Sequence, residues 1–520
     1  MKTIGMIVIL GTLCATSIMA ADPAAPGQLG NVAPWSQKDF VNPPLKCMER
    51  YLRFDVFPIV GWCFHGDRQR DPKRRQPYDE SYCEQAKAAG FTVLVDDDRM
   101  LEPCRKTNMR LIIPTFRVTP DHLEDRFFKK ADVGDHPALL GFVMDDDCMG
   151  VTGQVIRTAA WLKGTHPHLA AFVSKYPTRD PQTNTECRIL ATMNYQFMKG
   201  KGGAWSRIRY YAEMEHERNV CNKGNLAMWP IIFGHTYSEH RFSITAGLAY
   251  GAQGFIYFAY LPHKLQWMIP ERLDFHKNSG DIQTYAWKVI GRHLWGTRSL
   301  GVYQTDYEGD THGSALKCGP DQVVREMDQA LLAGMLVVES RMPAAGQKVT
   351  PDYIMVGDKR AARRGDDPPL RKTWIALGGE IPVVEILDRD AMDPKAPRKF
   401  CPGRYVPIEL KGGDGVLLRA NPADVEKVLG AEAAKALTEL AAELNKISAG
   451  DAKACDAAKG AADKLKAALD AAVKDKKVSA AQADAVMKCV AAAIEGLRTP
   501  PPPPPAPPAA APAPQPKKQG

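Results

Sequence analysis

Between residues 54 and 294, short apolar runs alternate with stretches of helical spacing, and the alternation repeats eight times. The apolar runs are Phe54 to Phe64, Phe91 to Val95, Arg110 to Pro114, Leu139 to Met144, His168 to Ser174, Arg188 to Tyr195, Leu226 to Phe233 and Gly254 to Tyr260. Helical stretches lie at Glu80 to Ala89, which stops at the C-cap signal Gly90, and at Arg99 to Thr107, Pro120 to Lys130 and Val151 to Lys163. Three more lie at Ala204 to Asn219, Ser238 to Tyr250 and Ile282 to Leu294. A doubly wound sheet satisfies the same alternation. Eight regular units in about 250 residues have the size and rhythm of a closed (β/α)8 TIM barrel, expected over residues 45–300.

The remainder divides by composition. At 520 residues the chain exceeds one ordinary core, so further domains are expected. Residues 301–420 carry short β-rich runs (MLVVES, DYIMVGD, TWIALGG, PVVEIL) between turn residues and end at GGDGVLLRA, the pattern of a small antiparallel β-sandwich. Residues 422–498 turn to Ala, Lys, Glu and Asp with three apolar seams. These are Leu437, Leu440, Leu444 and Ile447; Cys455, Ala458, Ala462, Leu465 and Leu469; and Met487, Val490, Ile494 and Leu497. Steps of three and four predict three helices in a small bundle or coiled coil. In a regular hairpin turning near residue 477, Cys455 and Cys489 fall roughly 15 Å out of step along the axis. A disulfide needs Cα atoms within about 7 Å, so no bond between these two is expected. Residues 499–520 are almost all Pro and Ala, a disordered polyproline-type tail that is either a spacer or a bare end.

Residues 1–20 read as a secretory signal: Lys2, a mostly apolar run from Ile4 to Met19, and small residues at Ala20-Ala21. The run is too short to favour a membrane span, and no later segment looks transmembrane. The protein is therefore expected to be secreted or periplasmic. Of 12 cysteines, Cys14 leaves with the signal, so an odd number remains and at least one thiol stays unpaired or pairs between chains. No pair has CxxC spacing, so the usual zinc cluster is not expected. The formal charge of +8 comes without a basic block, so no nucleic-acid partner is expected.

In barrel enzymes, chemistry sits where the strands end and the βα loops begin. That rule selects His65 after the first strand, Asp96 to Asp98 after the second, and Asp145 to Asp147 after the fourth. It also selects Lys175 and Tyr176, Asn194 and Gln196, His235 and Tyr237, and Tyr257 and Tyr260. Trp62, Trp229 and Trp267 lie near the same rim. Acids, amides, histidines and aromatic faces in one cleft suit a sugar. Singly, each residue has an ordinary explanation. An Asp after a strand is more often a helix N-cap, a role expected for Asp98 and for one of the second triplet. The histidines can be satisfied behind the site, and strand aromatics are more often packing. The aspartates offer oxygens to a hard cation, but EF-hand spacing is missing, and neither metal nor cofactor is assigned.

Four segments carry a family resemblance. HPALLGFVMDDDC (136–148) resembles the HPAVLGYFLGDEP-type segment of bacterial glycoside-hydrolase-like barrels, in the clan of the family 42 beta-galactosidases. LAYGAQGFIYFAYL (248–261) resembles their eighth-strand segment, YDESYCEQAKAAGFTVL (78–94) their first helix and second strand, and GGDGVLLRA the close of their accessory domain. The resemblance spans about 55 to 420. It implies a general acid at Asp147, where the family has glutamate, with Asp146 beside it to orient it or share its proton. Of the strand-end residues, His65, Asp97, Asn194, His235, Tyr257 and Trp62 are the candidates for holding a carbohydrate ligand. The sequence departs from the family at the seventh-strand end, which offers His235 where a nucleophilic glutamate belongs; Glu239 lies four residues on, in the expected helix. Retaining hydrolysis needs carboxyls about 5–5.5 Å apart and inverting hydrolysis roughly 6.5–9.5 Å. Two readings follow. One is an O-glycoside hydrolase, inverting with Asp97 or Glu239 as base. The other is a catalytically inactive, glycan-binding or envelope-associated protein that uses residues 422–498 for association.

Overall fold

The structure, a computed structural model, describes residues 40–49, 57–63, 78–129, 133–148, 153–175, 187–193, 204–232, 236–260, 281–344, 346–361 and 367–499. The first eight strands are β1 (Ile59–Cys63), β2 (Val93–Val95), β3 (Arg110–Pro114), β4 (Leu139–Cys148), β5 (Ala170–Lys175), β6 (Ile189–Met193), β7 (Ala227–Ile232) and β8 (Phe255–Tyr260). They pair in parallel and in chain order, and β8 returns to β1, so the sheet closes. Barrel strands are covered on both sides, by the interior and by the helices, which is why their sequences run continuously apolar.

The helices of this layer are α1 (Glu80–Ala88), α2 (Leu101–Lys106), α3 (Pro120–Leu123), α4 (Gly153–Thr165), α5 (Ala204–Gly224), α6 (Tyr237–Ala249) and α7 (Gly291–Leu294). Side-chain caps set several starts. Asp79 accepts from Ser81 N at 3.0 Å and Tyr82 N at 3.4 Å to open α1, and Thr119 caps α3 with Pro120 in its first turn. The single helix expected from Pro120 to Lys130 is split, because Glu124–Lys129 winds as a π-helical segment.

β4 also differs from expectation. It continues past Met144 through the three aspartates to Cys148. The extension survives because β5 reaches beside it, pairing Asp145 with Val173 and Cys148 with Lys175. The pairing slips twice, between Val143 and Asp145 and between Asp145 and Cys148, so the acidic end is an irregular strand rather than a loop.

Nine more strands follow: β9 (Thr297–Gln304), β10 (Val324–Met327), β11 (Leu331–Val338), β12 (Tyr353–Asp358), β13 (Arg371–Leu377), β14 (Val383–Leu387), β15 (Lys399–Pro402), β16 (Val406–Leu410) and β17 (Gly415–Ala420). They form an antiparallel sandwich of a three-stranded sheet, β10-β13-β16, and a six-stranded sheet, β15-β14-β17-β12-β11-β9. Alternation along the larger sheet serves two cores. Leu331, Ile354, Val356 and Leu418 face the smaller sheet, while Leu332, Leu336, Met355 and Leu417 join the core of the barrel.

The element against that second face is α6, whose residues Ser238 to Ala249 are all buried. A helix enclosed on all sides needs no single apolar stripe, and YSEHRFSITAGLA has none. The sheet makes room with glycines. Cross-strand neighbours Gly357 and Gly415 would each place a Cβ within 2.5 Å of Thr245 Cγ2, and a Cβ on Gly334 would meet Ala249 O at 2.1 Å.

The chain closes with α8 (Val425–Leu429), α9 (Ala431–Asn445), α10 (Ala452–Lys474) and α11 (Ala480–Arg498). The three expected seams are their buried faces, with Met487 partly buried, and they share a core with Val383 and Phe400 of the sandwich. α11 lies on β15 and β16, and Gly496 passes so close to the Tyr405 ring that its Cβ would stand 2.1 Å from the ring edge. Among the described residues, no helix is long and apolar enough to cross a membrane.

Candidate functional site

The strand ends converge on one rim of the barrel, and the described acids there belong to β2 and β4. Asp96, directly after β2, is buried and accepts from Asp97 N at 2.7 Å. Asp97 then opens a 3-10 turn, Asp98–Met100, by accepting from Arg99 N at 3.1 Å. The capping role expected of Asp98 therefore falls to Asp97, and α2 itself has no side-chain cap. Asp97 is one residue earlier in the extended conformation a cap requires, whereas Asp98 is already inside the turn.

Arg99 folds back to hold Asp97, donating from Nε at 2.8 Å, while its Nη2 reaches the Tyr78 hydroxyl at 2.7 Å. This splits the two neighbouring carboxyls. Burial alone raises both, but hydrogen bonds from Arg99 and Asp98 hold Asp97 down to about 2. Asp98 is raised, first by burial and then by the hydrogen bond and charge of Asp97. The pair thus presents one carboxyl held down and one pushed up on the same turn. Carboxyls driven apart in this way are the raw material of acid/base work.

On β4, Asp145 is 2% exposed and is held by Arg117 Nε at 3.1 Å. Arg117 has φ +55° and donates its own N–H to Met144 O at 2.8 Å, so the segment after β3 is tied to β4 at two points. Asp145 is therefore a positioning acid inside the strand. Asp146 and Asp147 continue β4, and their side chains lie outside the described residues. His65, Asn194 and His235 lie outside them as well.

Strand register separates the two aromatic candidates. Gly61 pairs with Tyr257 and Trp62 with Phe258, so Trp62 and Tyr257 point to opposite sides of the barrel wall. Trp62 stacks with Phe116, which follows β3, with ring centroids 6.4 Å apart and planes 8° off parallel. That contact skips over β2 and places Trp62 on the inner side, at the rim. Tyr257 instead bonds His240 of α6 at 2.7 Å and meets the Phe91 ring edge-on at 5.2 Å. Its place is the layer between barrel and helices, not the cleft expected for it, because pleat parity turns it outward.

At the β7 end, Thr236 caps α6, accepting from Glu239 N at 3.2 Å. Glu239 is 2% exposed in the first helical turn, as its position in the sequence implied. The start of α6 is clamped by the sandwich. Ser238 N donates to Asp367 at 3.1 Å, and Arg241 donates to Asp367 at 2.9 Å and to Gly412 O at 2.8 Å. Gly413, at φ +77°, sits where a Cβ would strike Ser238 O at 2.0 Å. Among the described residues, no group of three or more His, Cys, Asp or Glu is arranged to hold a metal ion. Sequence reasoning missed Arg99, Arg117 and Phe116. Arg99 follows its acids directly and was within reach; the Arg117–Asp145 pairing spans 28 residues and leaves no local signal.

The class defined by these features is a closed parallel barrel with an acidic rim, roofed on one helix by a β-sandwich. No family model matches the chain, and no curated protein matches it. Solved structures similar to it include a beta-galactosidase from the psychrophilic Marinomonas ef1, at 10% identity and TM-score 0.34, over 44% of this chain and 59% of that one. Saccharomyces cerevisiae Gas2p, in complex with laminaritetraose and laminaripentaose, matches at 12% identity and TM-score 0.30, over 44% of this chain and 63% of that one. A pullulanase type I from Bacillus subtilis matches at 10% identity and TM-score 0.39, over 70% of each chain. The chain thus spans less than two thirds of the length of the first of these.

Proposed function

We propose that the protein acts on glycans, as an exported glycoside-hydrolase-like barrel with Asp147 as general acid and Asp146 beside it to orient it or share its proton. The observation that carries this reading is the acidic end of β4. Three carboxyls continue a strand whose pairing slips twice, with the first of them buried and fixed by Arg117. Irregularities of this kind occur beside active sites, where they re-aim side chains. Trp62 supplies an apolar face at the rim, and Asp97, ionised, supplies a hydrogen-bond acceptor or the base of an inverting scheme. His65, Asn194 and His235 complete the ligand set. A carbohydrate ligand is supported by this mixture of acids and aromatic surface, together with the motifs at 136–148 and 248–261. Export rests on residues 1–20, and association through residues 422–498 rests on their helical character.

One observation favours the second reading, a glycan-binding protein without turnover. The carboxylate nearest the β7 end, Glu239, is buried inside α6 rather than standing at the strand end. The test is a broad glycan panel scored for binding and for released reducing sugar. In a hydrolase, Asp147→Asn abolishes release and leaves binding nearly intact. Wild-type binding with no release across the panel removes the hydrolase reading and leaves the binding protein.

A further inference from the structure

Two cysteines meet where the helical segment lies on the sandwich. Cys401 of β15 is fully buried, and its thiol donates to Tyr405 O and to Cys489 O, each at 3.7 Å. Cys489 of α11 is half-buried and lines two cavities, of about 720 and about 600 Å³. The first is bounded by Arg389, Asp390 and Lys399, the second by Trp374 and Tyr405. One cysteine thus lines open space, and its neighbour is buried.

We propose that Cys489 and Cys401 form an oxidation site for a disulfide donor, in which Cys489 attacks and Cys401 closes an internal bond between α11 and β15. The chemistry is thiol–disulfide exchange. The Cys489 thiolate attacks one sulfur of the donor, forming a mixed disulfide and expelling one donor thiolate. The Cys401 thiol then loses its proton and attacks the Cys489 sulfur of that mixed disulfide, expelling the second donor thiol. The protein loses two thiol protons and two electrons, and the donor's disulfide takes up both to become two thiols.

The surroundings divide the two roles in the same sense. The Cys401 side chain holds the Cys489 thiol below its ordinary range against the effect of burial, and the Lys399 ammonium acts in the same direction. Burial, and then Cys489 itself, push Cys401 far up. A cysteine that lines open space beside a fully buried one is the arrangement of a reactive cysteine and the thiol that resolves it. A second pair provides a control inside the same molecule. Cys83 and Cys104 have their sulfurs 3.8 Å apart, but both are fully buried, so a donor cannot reach either in the folded protein.

The experiment exposes the reduced, folded full chain to oxidised glutathione and maps thiols by differential alkylation and mass spectrometry over time. A glutathione adduct is expected first at Cys489, followed by the Cys401–Cys489 disulfide. In Cys401→Ser the adduct at Cys489 persists, and in Cys489→Ser, Cys401 stays unmodified while the protein remains folded by circular dichroism. Cys401→Ala serves if the buried serine hydroxyl disturbs folding, and the wild-type time course stands without either variant. The proposal is overturned by a wild type that forms no Cys401–Cys489 bond. It is equally overturned by oxidation of Cys83 and Cys104 at the same rate, which would mean that unfolding admits the donor.

Discussion

Replacing Asp310 by asparagine removes one charge from the joint between barrel and sandwich. The carboxylate is 0% exposed and accepts from Arg207 Nε of α5 at 2.8 Å, from the Tyr211 hydroxyl at 3.3 Å and from Tyr307 N at 3.1 Å. Lys359, at the end of β12 and also 0% exposed, donates to it as well, and otherwise meets Thr305 O at 2.9 Å. The asparagine side chain keeps the shape but turns an amide toward two cations. Arg207 retains Glu308 at 2.9 Å, whereas Lys359 is left as a buried ammonium that has lost its paired carboxylate and keeps only the weaker charge of Asp306. Breaking a buried pair from one side costs about 3–5 kcal/mol.

The reverse deletion is cheaper. Lys359→Met removes a cation whose charged form burial already disfavours, and Asp310 keeps Arg207. Its cost is expected near that of one ordinary hydrogen bond to a charged group, about 1.5–3 kcal/mol. In the double variant the stranded ammonium is gone, so stability returns by at least about 1 kcal/mol relative to Asp310→Asn alone. Urea unfolding followed by tryptophan fluorescence measures all three. A Lys359→Met variant as damaged as Asp310→Asn, or a double variant no better than Asp310→Asn, refutes the asymmetry.

Two further outcomes are expected. Gly357→Ala puts a methyl 2.3 Å from Thr245 Cγ2 and is expected to cost about 1–3 kcal/mol, part of which Thr245→Ala restores; thermal melts of the single and double variants check this. Arg99→Leu releases Asp97 from a carboxyl pKa of about 2, a depressed value, so the wild type's advantage is present above the ordinary carboxylate range near 3.8 and fades as pH falls through about 2. With both side chains partly exposed the advantage stays under about 1 kcal/mol, and a deficit that instead grows below pH 4 in urea titrations contradicts the assignment.

The eight strands of the barrel were legible because strands covered on both faces leave continuous apolar runs, and the sandwich because turn residues punctuate its short ones. The helical seams were legible for the same kind of reason, a period of three and four on one exposed element. What escaped was set by partners far away in sequence. β4 passes through Asp145 because β5 runs beside it, although three aspartates read locally as the end of a strand. Tyr257 was named for the cleft from its position near a strand end, and only register against β1 shows which way it turns. α6 carries Glu239, His240 and Arg241 inside a buried helix, which makes sense only with Asp367 and Gly412 of the sandwich in place.

That last arrangement bears on the order in which the chain can fold. Synthesis delivers α6 well before Gly415 and the rest of β17, so a newly made barrel carries α6 with one side uncovered and its first-turn N–H of Ser238 still facing water. Domains generally acquire structure from the N-terminus onward. Here the final settling of a barrel helix waits for strands made much later, and a chain interrupted anywhere before residue 420 holds an unfinished barrel rather than a finished first domain. A barrel expressed by itself is therefore a different molecule from the one in the full chain, with an uncovered helix.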